Sequence, residues 1–161
     1  MNTNEKLEKE KLALRLMQEY ANLKKKLNDL DICRTEREPT GDYAEWLIAS
    51  KLNLQQAKNT VQSGYDLVSP VTGVTYQVKA RRIFKEHGYK VSINKYNEYR
   101  FDYLILVLFK EDFSILNAYE FTYESIPLFC KKRGKDMEMM ISLSNYSEKL
   151  DCVKDRKILM L

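Results

Sequence analysis

Apolar positions along the chain follow patterns of different period, and each predicts an element. Between residues 5 and 32 there is neither Gly nor Pro, and Ala13, Leu16, Tyr20, Leu23, Leu27 and Leu30 recur at alternating spacings of three and four. That period predicts one long amphipathic helix with charge on its opposite face. Its seam spans about two and a half heptads, and serves either packing on its own domain or a homodimer. A polar connector from Cys33 ends at Pro39, and a second helix is expected from Thr40-Gly41-Asp42 to about Leu54. In it Asp42 and Glu45 have the spacing of a capping box.

Beyond a polar loop at Lys58–Gly64 the period changes to two. Tyr65–Val68 and Val74–Arg81 predict two strands around the turn Pro70-Val71-Thr72-Gly73. A basic loop is expected to about Tyr99. Phe101–Phe109 is an apolar run without alternation after Asp102, the pattern of a strand buried on both faces. Lys110-Glu111-Asp112 predicts a turn into a strand at Phe113–Phe121. A short helix capped by Thr122 is expected to Phe129, a strand at Met137–Leu143 and a helical turn or two at Cys152–Leu161. Helix, four strands and helix predict an α/β (α+β) sandwich, in which helices flank a mixed sheet with Phe101–Phe109 as its central strand. The expected organisation is an N-terminal helix over 1–33 and a single domain over 34–161.

Composition narrows the class. The chain has 161 residues, 44% hydrophobic and 31% charged, which excludes a disordered polymer and a membrane-spanning bundle. The longest apolar run, Tyr103–Phe109, is far below the ~20 residues that span a bilayer. No apolar stretch follows a basic start at the N-terminus, so a cytoplasmic protein without a secretory signal and without a membrane partner is expected. Cys33, Cys130 and Cys152 offer no disulfide framework or zinc clip, and His87 is the only histidine. Zinc sites and histidine-based triads are thereby disfavoured. Net charge is a modest +4 but unevenly spread. The stretch from Lys79 to Lys95 carries Arg81, Arg82, Lys85, Lys90 and Lys95, with Glu86 the single acid among them. Lys24–Lys26 and Lys131–Lys135 are further basic clusters.

Candidate chemistry comes from the register of the two middle strands. If Pro70–Gly73 is the turn, Ser69 pairs with Val74, and counting inward sets Asp66 opposite Gln77. Directly paired residues share a face, so Asp66, Gln77 and Lys79 converge on one polar patch. A carboxylate and an amide oxygen there are ligands for a hard divalent cation. A lysine two residues further on stands where it can stabilise charge on a phosphate under attack. Glu45, from the neighbouring helix, supplies a second carboxylate.

These residues resemble the PD-(D/E)XK phosphodiesterases, the restriction-endonuclease-like superfamily. The resemblance rests on Gly41-Asp42-Tyr43-Ala44-Glu45 on a helix, Gly64-Tyr65-Asp66-Leu67-Val68, and Tyr76-Gln77-Val78-Lys79-Ala80-Arg81. It covers roughly residues 34–121. It also extends to a group of small bacterial proteins that share Gly-Asp-Tyr-Ala-Glu-Trp-Leu and Gly-Tyr-Asp. The resemblance implies Asp66 as first metal ligand, Gln77 as second, the Val78 carbonyl as a further ligand, Lys79 as catalytic lysine and Glu45 as accessory carboxylate. Asp or Glu is usual at the position of Gln77, although methylation-dependent nucleases of the Mrr type also carry Gln. The function implied is a Mg²⁺- or Mn²⁺-dependent endonuclease acting on DNA, in restriction or repair, with Arg81, Arg82, Lys85, Lys90 and Lys95 on the phosphate backbone. The alternative is an inactive nucleic-acid- or partner-binding module of the same fold. A helical-dimer adaptor working through the N-terminal seam comes third.

Overall fold

A computed structural model describes residues 3–58, 64–84 and 89–141. Helix α1 (Thr3–Asp29) is followed by α2 (Thr40–Leu52) and the short strands β1 (Gln55–Gln56) and β2 (Leu67–Val68). Then come β3 (Thr75–Arg82), β4 (Tyr89–Ile93), β5 (Tyr103–Phe109) and β6 (Ile115–Thr122). A 3-10 turn at Tyr123–Ser125 leads into α3 (Ile126–Phe129), and β7 (Lys131–Arg133) and β8 (Asp136–Ile141) complete the described chain. The protein is an α+β fold with a mixed sheet.

The larger sheet has the order β1-β2-β3-β5-β6, with β3 and β5 parallel and the other neighbours antiparallel. Strand β5 lies inside it, and Leu104 to Phe109 are all fully buried. The absence of alternation in that run follows from the two cores it serves. Ile105, Val107 and Phe109 face α2, packing with Ala44, Ile48, Leu67, Val78 and Ala80. Leu104, Leu106 and Leu108 face the other way, toward Val91, Ile93, Phe121, Ile126 and Met137. Burying several such side chains at ~2 kcal/mol each makes β5 the anchor of the fold.

Three expectations are corrected. The basic stretch before Tyr99 is not all loop, because β4 lies within it and pairs with β8 in a second, antiparallel sheet of order β4-β8-β7. Val91 and Ile93 are 1% exposed while Lys90 lies open, an ordinary alternation hidden by the surrounding charge. The basic cluster at Lys131–Lys135 is the β7–β8 hairpin, turned at Gly134 with φ +63°. Helix α1 ends at Asp29 rather than 32, where Asp31 takes a left-handed φ of 55°. Its seam does not pack on its own domain, since Leu16, Tyr20 and Leu23 remain about half exposed. The helical turn expected at Cys152–Leu161, residues 59–63 of the polar loop, Lys85 and His87 lie outside the described residues.

Candidate active site

The β2–β3 hairpin has the register that its turn predicts: Val68 pairs with Thr75 and Leu67 with Tyr76. Ser69 N–H donates to Val74 O at 2.8 Å and Gly73 N–H to Ser69 O at 2.9 Å, closing the turn. Pairing then stops, but the chain stays in register. Asp66 N–H donates to Tyr76 O, and one residue on the Asp66 carboxylate takes the place of a strand partner. Its Oδ2 accepts the Val78 N–H at 2.7 Å and the side-chain amide N–H of Gln77. Along β3 the even-numbered residues turn their backbone N–H and C=O toward the β2 edge, while the odd ones bond to β5. Beyond Tyr76 that edge is open to a cleft, and the Val78 carbonyl points into it beside Asp66.

The far wall of the cleft comes from α2 and the connector before it. A capping box does not form. The helix starts at Thr40 without a side-chain cap on its first turn, and Glu38 receives the N–H of Thr40 at 3.0 Å and its hydroxyl at 2.7 Å. Asp42 is thereby free to bind the connector instead. Its Oδ2 accepts Arg34 N–H (2.9 Å), Thr35 N–H (2.7 Å) and the Thr35 hydroxyl (2.9 Å). Those three bonds fold the connector back across the start of α2 and set the Arg34 side chain over the cleft. Its guanidinium donates to Glu45 Oε2 at 2.6 Å and to the Ala57 carbonyl at 3.2 Å. Ala57 in turn donates its N–H to the Asp66 carbonyl at 2.8 Å. Arg34 therefore ties together the two segments that carry Glu45 and Asp66.

The resulting cavity is about 660 Å³, and Glu45, Asp66, Gln77, Val78, Lys79 and Arg81 all line it. Burial raises the Asp66 carboxyl above its usual range, against the opposing pull of the Val78 N–H and the charges of Lys79 and Arg34. Burial also pushes Glu45 up to about 7, reinforced by the negative charge of Asp66 and opposed by Arg34. Ionised Asp66 thus disfavours the charge of Glu45, although Arg34 donates to Glu45 directly. Gly64, two residues before Asp66, shapes this loop. Its φ is +73°, and a Cβ there would lie 2.7 Å from the Tyr99 side chain.

A cation in this cleft would meet oxygen donors. Asp66, Glu45 and the Val78 carbonyl offer only oxygen. Gln77, expected as a ligand, uses its amide N–H on Asp66, so its share in holding a cation would come from the Oε1 end of the same amide. Among the described residues no three of His, Cys, Asp and Glu converge as a metal-binding group.

The basic residues divide differently from the expectation. Arg81 lines the cleft, while its Nε donates to Lys90 O of β4 at 2.9 Å. Arg82 points to the other face, its guanidinium 4.5 Å from the ring centres of both Phe84 and Phe113. Lys90 pairs with Glu138, and Lys95 stands near Glu98 and over the Tyr99 ring. Arg82, Lys90 and Lys95 are absent from the cleft lining. Arg34, Arg37 and Lys58 belong to it, and sequence reasoning passed over them as parts of polar connectors. For the two arginines the signal was their density in Arg34-Thr35-Glu36-Arg37-Glu38, where acids and bases are interspersed, and Lys58 gave none.

Comparison of the chain with protein-family models and with curated proteins gives no match. Among the described residues no helix is long and apolar enough to cross a membrane.

Proposed function

We propose that this protein is a Mg²⁺- or Mn²⁺-dependent phosphodiesterase that cuts DNA, built on a restriction-endonuclease-like core. The observation that carries this reading is the meeting of Asp66, Glu45, Lys79 and the Val78 carbonyl at the open edge of β3, in one cavity. Asp66, Glu45, the Val78 carbonyl and the Gln77 amide oxygen would hold the cation. Bound there, it supplies Lewis-acid activation of water and of the phosphodiester.

The remaining work belongs to the chain itself. Lys79 lines the cavity beside Asp66, and its ammonium group donates hydrogen bonds to the phosphate oxygens as negative charge builds on them. The Val78 N–H and the Gln77 amide fix Asp66 so that its carboxylate keeps one direction. Arg37, Lys58 and Arg81 on the rim attract and hold the sugar–phosphate backbone without reading bases.

Nicking of supercoiled plasmid tests the reading. Purified protein is expected to nick with millimolar Mg²⁺ or Mn²⁺ and to stop in EDTA. Lys79→Ala and Asp66→Asn should each lose at least about a hundredfold in rate while melting near the wild-type temperature. If neither the wild type nor Gln77→Glu cuts any DNA or RNA with either metal, the enzyme reading falls and a nucleic-acid-binding module replaces it.

A further inference from the structure

A cation that the chain itself supplies stands at Glu45. The Arg34 guanidinium is held by two partners, Ala57 O accepting one arm and Glu45 Oε2 the other, while Asp42 fixes the residue's backbone. Within the Arg34–Glu45 pair the Glu45 side chain is largely withdrawn from solvent at 17% exposed, and that of Arg34 is partly covered at 32%. A partly buried pair is screened less than one fully on the surface. No pattern of strand or helix requires a cation at this point. Arg34 lies on a connector, and the α2–sheet core packs without it.

We propose that Arg34 is a built-in counter-cation that occupies the Glu45 side of the cleft and thereby limits how tightly the site takes a divalent ion. This inference rests on the proposed metal site and concerns its regulation. A guanidinium on Glu45 Oε2 offsets the negative charge that a divalent cation would use, so the carboxylate is a poorer ligand while Arg34 holds it. The guanidinium also repels a second positive charge brought to Asp66 close by. With Arg34 in place Glu45 has a partner without metal, so the cleft holds its shape on its own and cation binding is weak and reversible. Cation entry loosens Arg34 from Glu45 and leaves its planar fork facing the cavity, where it fits a phosphate.

The test measures binding rather than cleavage. Mn²⁺ is titrated into wild type, Arg34→Met and Arg34→Lys, with free Mn²⁺ read by electron paramagnetic resonance, and melting is followed in EDTA and in Mg²⁺. Arg34→Met should bind Mn²⁺ about tenfold more tightly than wild type, because one positive charge has left the site. Arg34→Lys keeps the charge and should stay within about threefold. In melting, Mg²⁺ should stabilise Arg34→Met more than wild type, as the ion replaces the lost guanidinium. Unchanged or weaker Mn²⁺ binding by Arg34→Met overturns the proposal. Binding by Arg34→Lys as tight as that expected of Arg34→Met does the same, and it decides the matter if the Met variant does not fold. Asp66→Asn separates the two layers. Mn²⁺ binding that ignores Asp66→Asn, or that is absent from every variant, sinks the metal site itself. Binding that depends on Asp66 but not on Arg34 sinks this inference alone.

Discussion

Two pairs of carboxylates in this molecule carry the same charge and behave in opposite ways. Glu98 and Glu138 stand on the smaller sheet and the turn beside it, each with cations at hand. Lys135 donates to Glu98 at 2.6 Å, and Glu138 takes Lys90 and Arg133. Hydrogen bonds from those lysines, Lys135 to Glu98 and Lys90 to Glu138, hold both carboxyls below their usual range. Glu45 and Asp66 in the cleft are raised instead, because burial outweighs every cation nearby. The surface region has settled its own electrostatics and asks for no ligand. In the cleft both carboxylates also have partners, Arg34 for Glu45 and the Val78 N–H for Asp66, yet burial keeps their charge costly, an arrangement that groups at functional sites share.

The comparison is broken most directly at Glu45. Its carboxyl ionises near 7 in the folded protein against 4.5 for an unperturbed glutamate. The folded state therefore holds a proton that the unfolded state has released between those values. Stability should fall as pH rises from about 4.5 to 7 and level off above, and Asp66, raised as well, acts in the same direction. The Glu45 share is on the order of 3 kcal/mol across that window. Glu45→Gln has no proton to hold. Chemical denaturation in EDTA at about pH 5 and pH 8 should show a difference between the two conditions that is several-fold smaller for the Gln variant. An equal slope in both proteins would place the titration elsewhere.

The second test adds charge to the cleft rather than removing it. Gln77→Glu replaces the amide that donates to Asp66 with a carboxylate facing a carboxylate. In EDTA the variant should lose about 1–3 kcal/mol, the cost of an unsatisfied buried acceptor with repulsion added. Mg²⁺ should restore most of that loss and bind more tightly than to wild type, since a third negative charge and a harder ligand are present. A variant as stable as wild type in EDTA would mean that the Gln77–Asp66 hydrogen bond contributes nothing.

The amino-acid pattern made one wall of this cleft legible and hid the other. The facing of Asp66 and Gln77 could be counted because Pro70–Gly73 pins the turn and strand alternation does the rest. The buried strand β5 was legible because it needs apolar residues on both faces. Arg34 was not legible, since an arginine in a polar connector looks the same whether it meets water or Glu45. Its placement depends on Asp42, whose spacing to Glu45 suggested a cap that Glu38 makes unnecessary. Strand β4 was obscured by Lys90 and its charged neighbours, although Val91 and Ile93 alternate as a strand should.

The smallest expected effects distinguish the two basic regions as binding surfaces. Lys90 already spends its charge on Glu138, and Arg82 stacks on Phe84 and Phe113 away from the cleft. Arg37 and Arg81 are exposed on the cavity rim. In DNA-binding titrations over a range of salt, charge reversal at Arg37 and Arg81 should weaken binding equally for all sequences. It should also flatten the salt dependence by about one unit of slope for each phosphate no longer neutralised. Lys90→Ala should leave that slope unchanged and shift the melting temperature by no more than about 2 °C, as expected of an ion pair at the surface. The reverse result, with Lys90 governing the slope and the rim arginines silent, would move the interface to the β4–β8 face. DNA binding and the cleft would then belong to different sides of the molecule, and a cut placed at Lys79 would lose its route to the phosphate.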